Sequence, residues 1–266
     1  MFGLDAKVSA FLGIALIFLA TTGGSALVYL VKNKLPKKVF KGIMGFASGV
    51  MMSAAIFSLL IPSLDLSLEK YGDFKFPYFP AIIGLVLGII FLMVIDRLVP
   101  HLHQDYKQEG LPSNLKQSTM LFLGVSLHNI PEGLSVGFAF GVGIASGNYE
   151  LVTSAAMLSI GIAIQNFPEG AAVSLCYRQS GYSKTKSFLL GMFSGLVEPI
   201  FAVLGILFAT LFTSLMPWLL AFAAGAMIYI IIEELLPASV DKESHSHIGV
   251  ISFFVGFVIM LVIELL

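Results

Sequence analysis

Two six-residue strings carry most of the chemistry available to this chain. His128-Asn129-Ile130-Pro131-Glu132-Gly133 recurs as Gln165-Asn166-Phe167-Pro168-Glu169-Gly170. In a helix, positions i, i+3 and i+4 share a face. His128, Asn129 and Glu132 therefore aim one way, and Gln165, Asn166 and Glu169 repeat the arrangement. Glu198 stands alone in a third apolar stretch. Together these residues offer one imidazole, three carboxylates and three amides. Such an oxygen-rich set suits Zn²⁺, Fe²⁺, Mn²⁺ or Co²⁺ and argues against a thiolate-selected Cu(I) site. Amide oxygens are weak donors, which fits an ion in transit better than permanent structural zinc. The one cysteine, Cys176, excludes an internal disulfide or a thiolate cluster and reads as a small packed hydrophobe.

These groups must be held inside a membrane. Of the 266 residues 57% are hydrophobic and 12% charged, against about 25% charged in soluble domains. Apolar runs fall near 8–31, 42–62, 78–95, 118–142, 151–176, 185–212, 215–237 and 248–266. Each can cross a hydrocarbon core that needs about 20 helical residues, some with tilt. The fold class expected is all-α: a polytopic membrane protein, eight transmembrane helices in a bundle, with central helices broken by Pro131, Pro168 and Pro199. One domain covers 1–266, with cytoplasmic loops at 97–116 and 238–247. The first run is too long for a signal-peptide core and is followed by five lysines, so it reads as a true span.

Alternate loops differ sharply in charge. Lys32, Lys34, Lys37, Lys38, Lys41, Arg97, Lys107, Lys116, Arg178, Lys184, Lys186 and Lys242 lie on one side; Lys7, Lys70 and Lys75 lie on the other. The positive-inside rule places the first group in the cytoplasm and both termini outside, as expected of a multi-pass protein of the cell (inner) membrane. The net charge of -1 suggests no nucleic-acid partner. In this threading Glu132, Glu169 and Glu198 reach nearly one depth. A charged side chain at mid-bilayer costs roughly 3 kcal/mol, and a bound cation removes that cost. Small residues such as Thr21-Thr22-Gly23-Gly24 read as close helix packing.

The paired hexapeptides are where the chain resembles the ZIP family of divalent-metal transporters, in its bacterial GufA-like branch. The resemblance covers essentially the whole chain. It implies transport of divalent ions toward the cytoplasm, Zn²⁺ first and Fe²⁺, Mn²⁺, Co²⁺ or Cd²⁺ as other candidates, with no resident cofactor and no enzyme activity. It implies a two-metal centre: His128, Glu132, Gln165 and Glu169 at one site, Asn129, Asn166 and Glu198 at the second, with Glu132 and Glu169 bridging. It also implies a homodimer and an elevator-like shift of the metal-bearing helices. Gln165 stands where many members have histidine, and Asn166 where some have aspartate, which weakens both sites.

Other polar residues lie along a pathway to this centre. Asp65 and Glu264 sit at the outer ends of the second and eighth spans, Met51 and Met52 midway along the second, and Glu233 and Glu234 toward the inner end of the seventh. Interfacial solvation is the plainer account of Glu264 and packing that of Met51 and Met52, while Asp65 and Glu234 stay open to either reading. His101 and His103, like His245 and His247, have i, i+2 spacing beside acidic residues and form a candidate cytoplasmic metal loop. Solvated loop histidines are the plainer account. Two rival functions are an intramembrane metalloenzyme, for which no His-Glu-x-x-His string exists, and a proton or organic-solute carrier using the same carboxylates as a relay.

Overall fold

The computed structural model describes residues 4–30, 36–102, 108–114, 117–240 and 247–265. They form α1 (Ala6–Ala26), α2 (Lys37–Ala54), α3 (Ile61–Tyr71), α4 (Phe79–Leu98), α5 (Gln117–Ser146), α6 (Tyr149–Gln179), α7 (Lys184–Gly195), α8 (Val197–Leu211), α9 (Met216–Ile230), α10 (Leu236–Ser239) and α11 (Ile248–Glu264). Six continuous helical stretches are long and apolar enough to cross a membrane: Ala6–Tyr29, Lys37–Tyr71, Phe79–Leu98, Tyr149–Arg178, Lys184–Leu211 and Thr213–Ser239. α11 is apolar over 17 residues and α5 is helical over 30. The chain is a helical polytopic membrane protein.

Local sequence sets where these helices begin and stop. The Asp5 carboxylate accepts from the amides of Lys7 and Val8 to start α1, and the Asn148 side chain accepts from the Glu150 amide to start α6; both satisfy donors that a helix N-terminus leaves open. α5 stops at Gly147, whose φ of 66° is cheap only without a Cβ.

The helices pack most extensively as pairs: α1 with α6, α2 with α11, α5 with α8, and α4 with α9. These sort into two groups. One contains α1 and α5–α8, the other α2–α4, α9 and α11, and the groups meet mainly where α2 lies on α6 and α5 on α9.

Three sequence expectations change. The central helices are not broken at both motif prolines: α5 and α6 run through Pro131 and Pro168 as continuous helices. A membrane helix tolerates the lost donor where neighbouring helices surround it. A break does fall at the third proline: the helix divides at Leu196, between α7 and α8, so Pro199 sits in the first turn of α8, where backbone N–H groups lack helical partners in any case.

The second span also outruns its expected end at 62. It continues through a π-helical turn, Ala55–Leu60, into α3, so much of the expected 63–77 loop is helix. Ser63 and Ser67 form the buried stripe of α3, and the Ser63 hydroxyl donates to the Pro217 carbonyl at 2.6 Å. Finally, the 97–116 loop holds a short antiparallel ribbon, β1 (His101–Leu102) on β2 (Gln108–Glu109), with His101 opposite Glu109.

Candidate metal centre

The three carboxylates converge from α5, α6 and the first turn of α8. Glu132, Glu169 and Glu198 are 1%, 6% and 1% exposed, and Asn129, Gln165 and Asn166 are equally buried. The Gln165 amide donates to Glu132 Oε1 at 2.7 Å and to Asn166 Oδ1 at 3.3 Å. The Asn166 amide donates to Glu198 Oε2 at 2.8 Å. The Thr21 hydroxyl, from α1, donates to the other Glu198 oxygen at 3.1 Å. The Asn129 amide donates to the Ser194 carbonyl at 2.9 Å, tying α5 to α7 just before the break. Of these residues, Thr21, Asn129, Asn166, Glu169, Ser194 and Glu198 line a crevice too narrow for a water molecule, together with Val125, Gly170 and Val173. The backbone of His128 continues α5 one turn before Glu132; its side chain lies outside the described residues.

Two oxygens in this cluster, Glu132 Oε2 and Gln165 Oε1, are buried with no hydrogen-bond partner among the described residues. Burying an acceptor unsatisfied costs about 1–3 kcal/mol, and most buried polar groups avoid it. Two such acceptors on neighbouring helices, one of them a carboxylate, are the kind of oxygen a divalent cation could take as ligands. The Gln165 amide is thus bifunctional: its nitrogen fixes one Glu132 oxygen while its own oxygen stays available.

The motif glycines explain how the backbones come close enough. A Cβ at Gly133 would overlap the carbonyl of Glu198, and one at Gly170 would overlap the carbonyl of Thr21. Reciprocally, a Cβ at Gly24 would overlap the carbonyl of Phe167. Each hexapeptide therefore ends in the residue that lets the next helix deliver its own contact, Glu198 in one case and Thr21 in the other.

A second cluster lies beyond the end of α4. The His101 Nδ1–H donates to the Val99 carbonyl at 2.8 Å, and Nε2 lies 3.0 Å from Asp96 Oδ1. The Tyr229 hydroxyl donates to Asp96 Oδ2 at 3.0 Å. Glu234, on the π-helical turn Ile231–Leu235, completes a triad whose ligand atoms lie within 4.8 Å of one another. With Nδ1 committed to a carbonyl, Nε2 is the nitrogen that meets a proton or a metal.

Of the remaining candidates, Asp65 and Glu233 are exposed and Met51 is fully buried. Glu264 is partly buried and accepts from the Ser58 hydroxyl of the Ala55–Leu60 turn. His247 is exposed at the start of α11; His103 and His245 lie outside the described residues. Sequence reading missed Asp96, though its place five residues before His101 at a span end was a usable signal, and missed the pairing of Thr21 with Glu198, for which the sequence carried none.

A buried carboxylate–amide centre on proline-bearing helices of a polytopic bundle defines a membrane protein of the ion-carrying class. Comparison with known proteins is specific. The ZIP zinc transporter family profile matches residues 104–264. The chain is 37% identical to the zinc transporter GufA of Myxococcus xanthus, covering 92% of this chain and 93% of that one. It is 32% identical to the zinc transporter ZIPB of Bordetella bronchiseptica over 96% and 80%, and 34% identical to the zinc transporter ZupT of Chlorobaculum parvum over 98% of each. The chain belongs to the ZIP family, a family of transporters rather than enzymes.

Proposed function

We propose that this protein carries Zn²⁺ across the cell membrane toward the cytoplasm, through a binuclear centre held by His128, Glu132, Gln165 and Glu169 at one position and by Asn129, Asn166 and Glu198 at the other, with Glu132 and Glu169 bridging. The observation that carries this reading is the pair of orphaned acceptors, Glu132 Oε2 and Gln165 Oε1, inside a cluster of three buried carboxylates. The names of the relatives support zinc as cargo. The same donors accept Fe²⁺, Mn²⁺, Co²⁺ or Cd²⁺ with less preference.

An ion entering the centre exchanges hydration water for carboxylate and amide oxygens, and its charge offsets the repulsion among the three glutamates. The weak amide donors keep the ion from being held permanently. On the cytoplasmic side Asp96, His101 and Glu234 receive it: a carboxylate pair and one imidazole nitrogen are enough for a transient seat. Eight spans are assigned, with α5 and α11 crossing alongside the six longer apolar stretches, and both termini are outside. The division of the helices into two packing groups supports alternating access by movement of α1 and α5–α8 against the rest, in a homodimer.

The test is uptake by purified protein in liposomes, offered a panel of metals singly and in pairwise competition. Saturable zinc uptake that outcompetes manganese is expected. Metal-independent uptake of protons or organic solutes, without zinc flux, would contradict the reading.

A further inference from the structure

We propose that the groove between α5 and α7, at the end of the bundle opposite the outer loops, seats an anionic phospholipid of the cytoplasmic leaflet, its phosphate at Lys186 and one acyl chain along Phe122, Leu190 and Phe193. The groove encloses about 650 Å³, room for a lipid tail rather than an ion. It is far larger than the crevice at the metal centre and shares none of its residues. Its wall is apolar and partly exposed, with Phe193 49% and Leu196 39% accessible, and it rests on a separate small core of Met120, Val125, Val173, Cys176 and Tyr177.

The mouth is chemically different from the wall. The Lys186 ammonium lies 4.5 Å above the Tyr182 ring, and Arg178 donates to the Tyr182 carbonyl at 2.7 Å. Thr119 supplies a hydroxyl on the α5 side. An aromatic ring carrying a lysine at a helix start is the arrangement found at headgroup depth, and basic pockets between helices on the cytoplasmic side bind anionic headgroups. Charge selects the occupant. A second copy docking through this patch about a twofold axis would bring Lys186 and Arg178 against their own equivalents, whereas a phosphate complements them. The chain end of the lipid would lie against Leu196, the link between α7 and α8, two residues before Glu198.

The leaflet rests on the orientation proposed above; lipid preference itself does not, so it is read without transport. Purified protein in mild detergent is mixed with equimolar phosphatidylglycerol and phosphatidylcholine of matched chains, and retained lipid is counted by native mass spectrometry. Wild type is expected to retain phosphatidylglycerol preferentially. Lys186→Ala should lower that preference about fivefold, and Lys186→Glu should lower it further. Lys70→Ala, a cation at the opposite end of the bundle, should leave it at the wild-type level. Equal retention of both lipids by wild type, or a preference that survives both Lys186 variants, overturns the proposal.

Discussion

In the proposed centre, Gln165 is the residue on which metal choice turns. It donates through its nitrogen to Glu132 Oε1 and leaves its own Oε1 buried without a partner among the described residues, so the amide both holds a carboxylate in place and offers a neutral oxygen. Replacing it by histidine puts an imidazole in its place. Imidazole suits zinc, and an amide oxygen suits a harder ion. Gln165→His should raise the zinc-to-manganese preference, with apparent affinity improving and maximal flux falling as release slows. Zinc and manganese uptake over concentration series in wild type and variant measures this. A preference that stays fixed, or moves toward manganese, removes Gln165 from the ligand set. The candidate donor residues were legible in the sequence because i, i+4 spacing repeated on two helices. The donor direction of Gln165 was not, because an amide looks the same whether its oxygen or its nitrogen faces the carboxylate.

At the scale of elements, the metal centre depends on helices whose backbones touch. Gly133 faces the carbonyl of Glu198 and Gly170 that of Thr21. Gly133→Ala forces α5 away from α8; overpacking of this kind costs about 1–3 kcal/mol and also moves Glu132 of α5 away from Glu198 of α8. Gly23→Ala is the control, since a Cβ there meets only the Phe167 ring at 3.6 Å, an ordinary contact. The expectation is a lowered melting temperature in detergent and lost zinc flux for Gly133→Ala, with near-normal values for Gly23→Ala. Equal behaviour of the two would show that close approach of α5 and α8 is not what organises the site. Here the sequence was misleading about the prolines. Pro131 and Pro168 predicted breaks from lost backbone donors, yet the surrounding helices let α5 and α6 continue. Pro199 was the better guide: the break fell at Leu196, just before it, between α7 and α8. The extension of α2 into α3 was likewise hidden, because Ser63 and Ser67 look like loop residues until α9 supplies the surface that buries them.

For the whole molecule, the charge asymmetry predicts how the bundle sits. Cysteines introduced singly in a Cys176→Ser background should react with an impermeant reagent from outside at position 73 and only from inside at position 184. Labelling of position 184 from outside would invert the assignment and move the Asp96–His101–Glu234 triad from exit to entrance. The account as a whole stands on the carboxylates of the two hexapeptides acting on the ion itself. Its most direct test is zinc flux into proteoliposomes by Glu132→Ala and Glu169→Ala at protein levels and melting behaviour matched to wild type. Loss of flux in each variant, with the protein still inserted and folded, is the predicted result. Near-normal zinc flux in either one would contradict the metal centre described above.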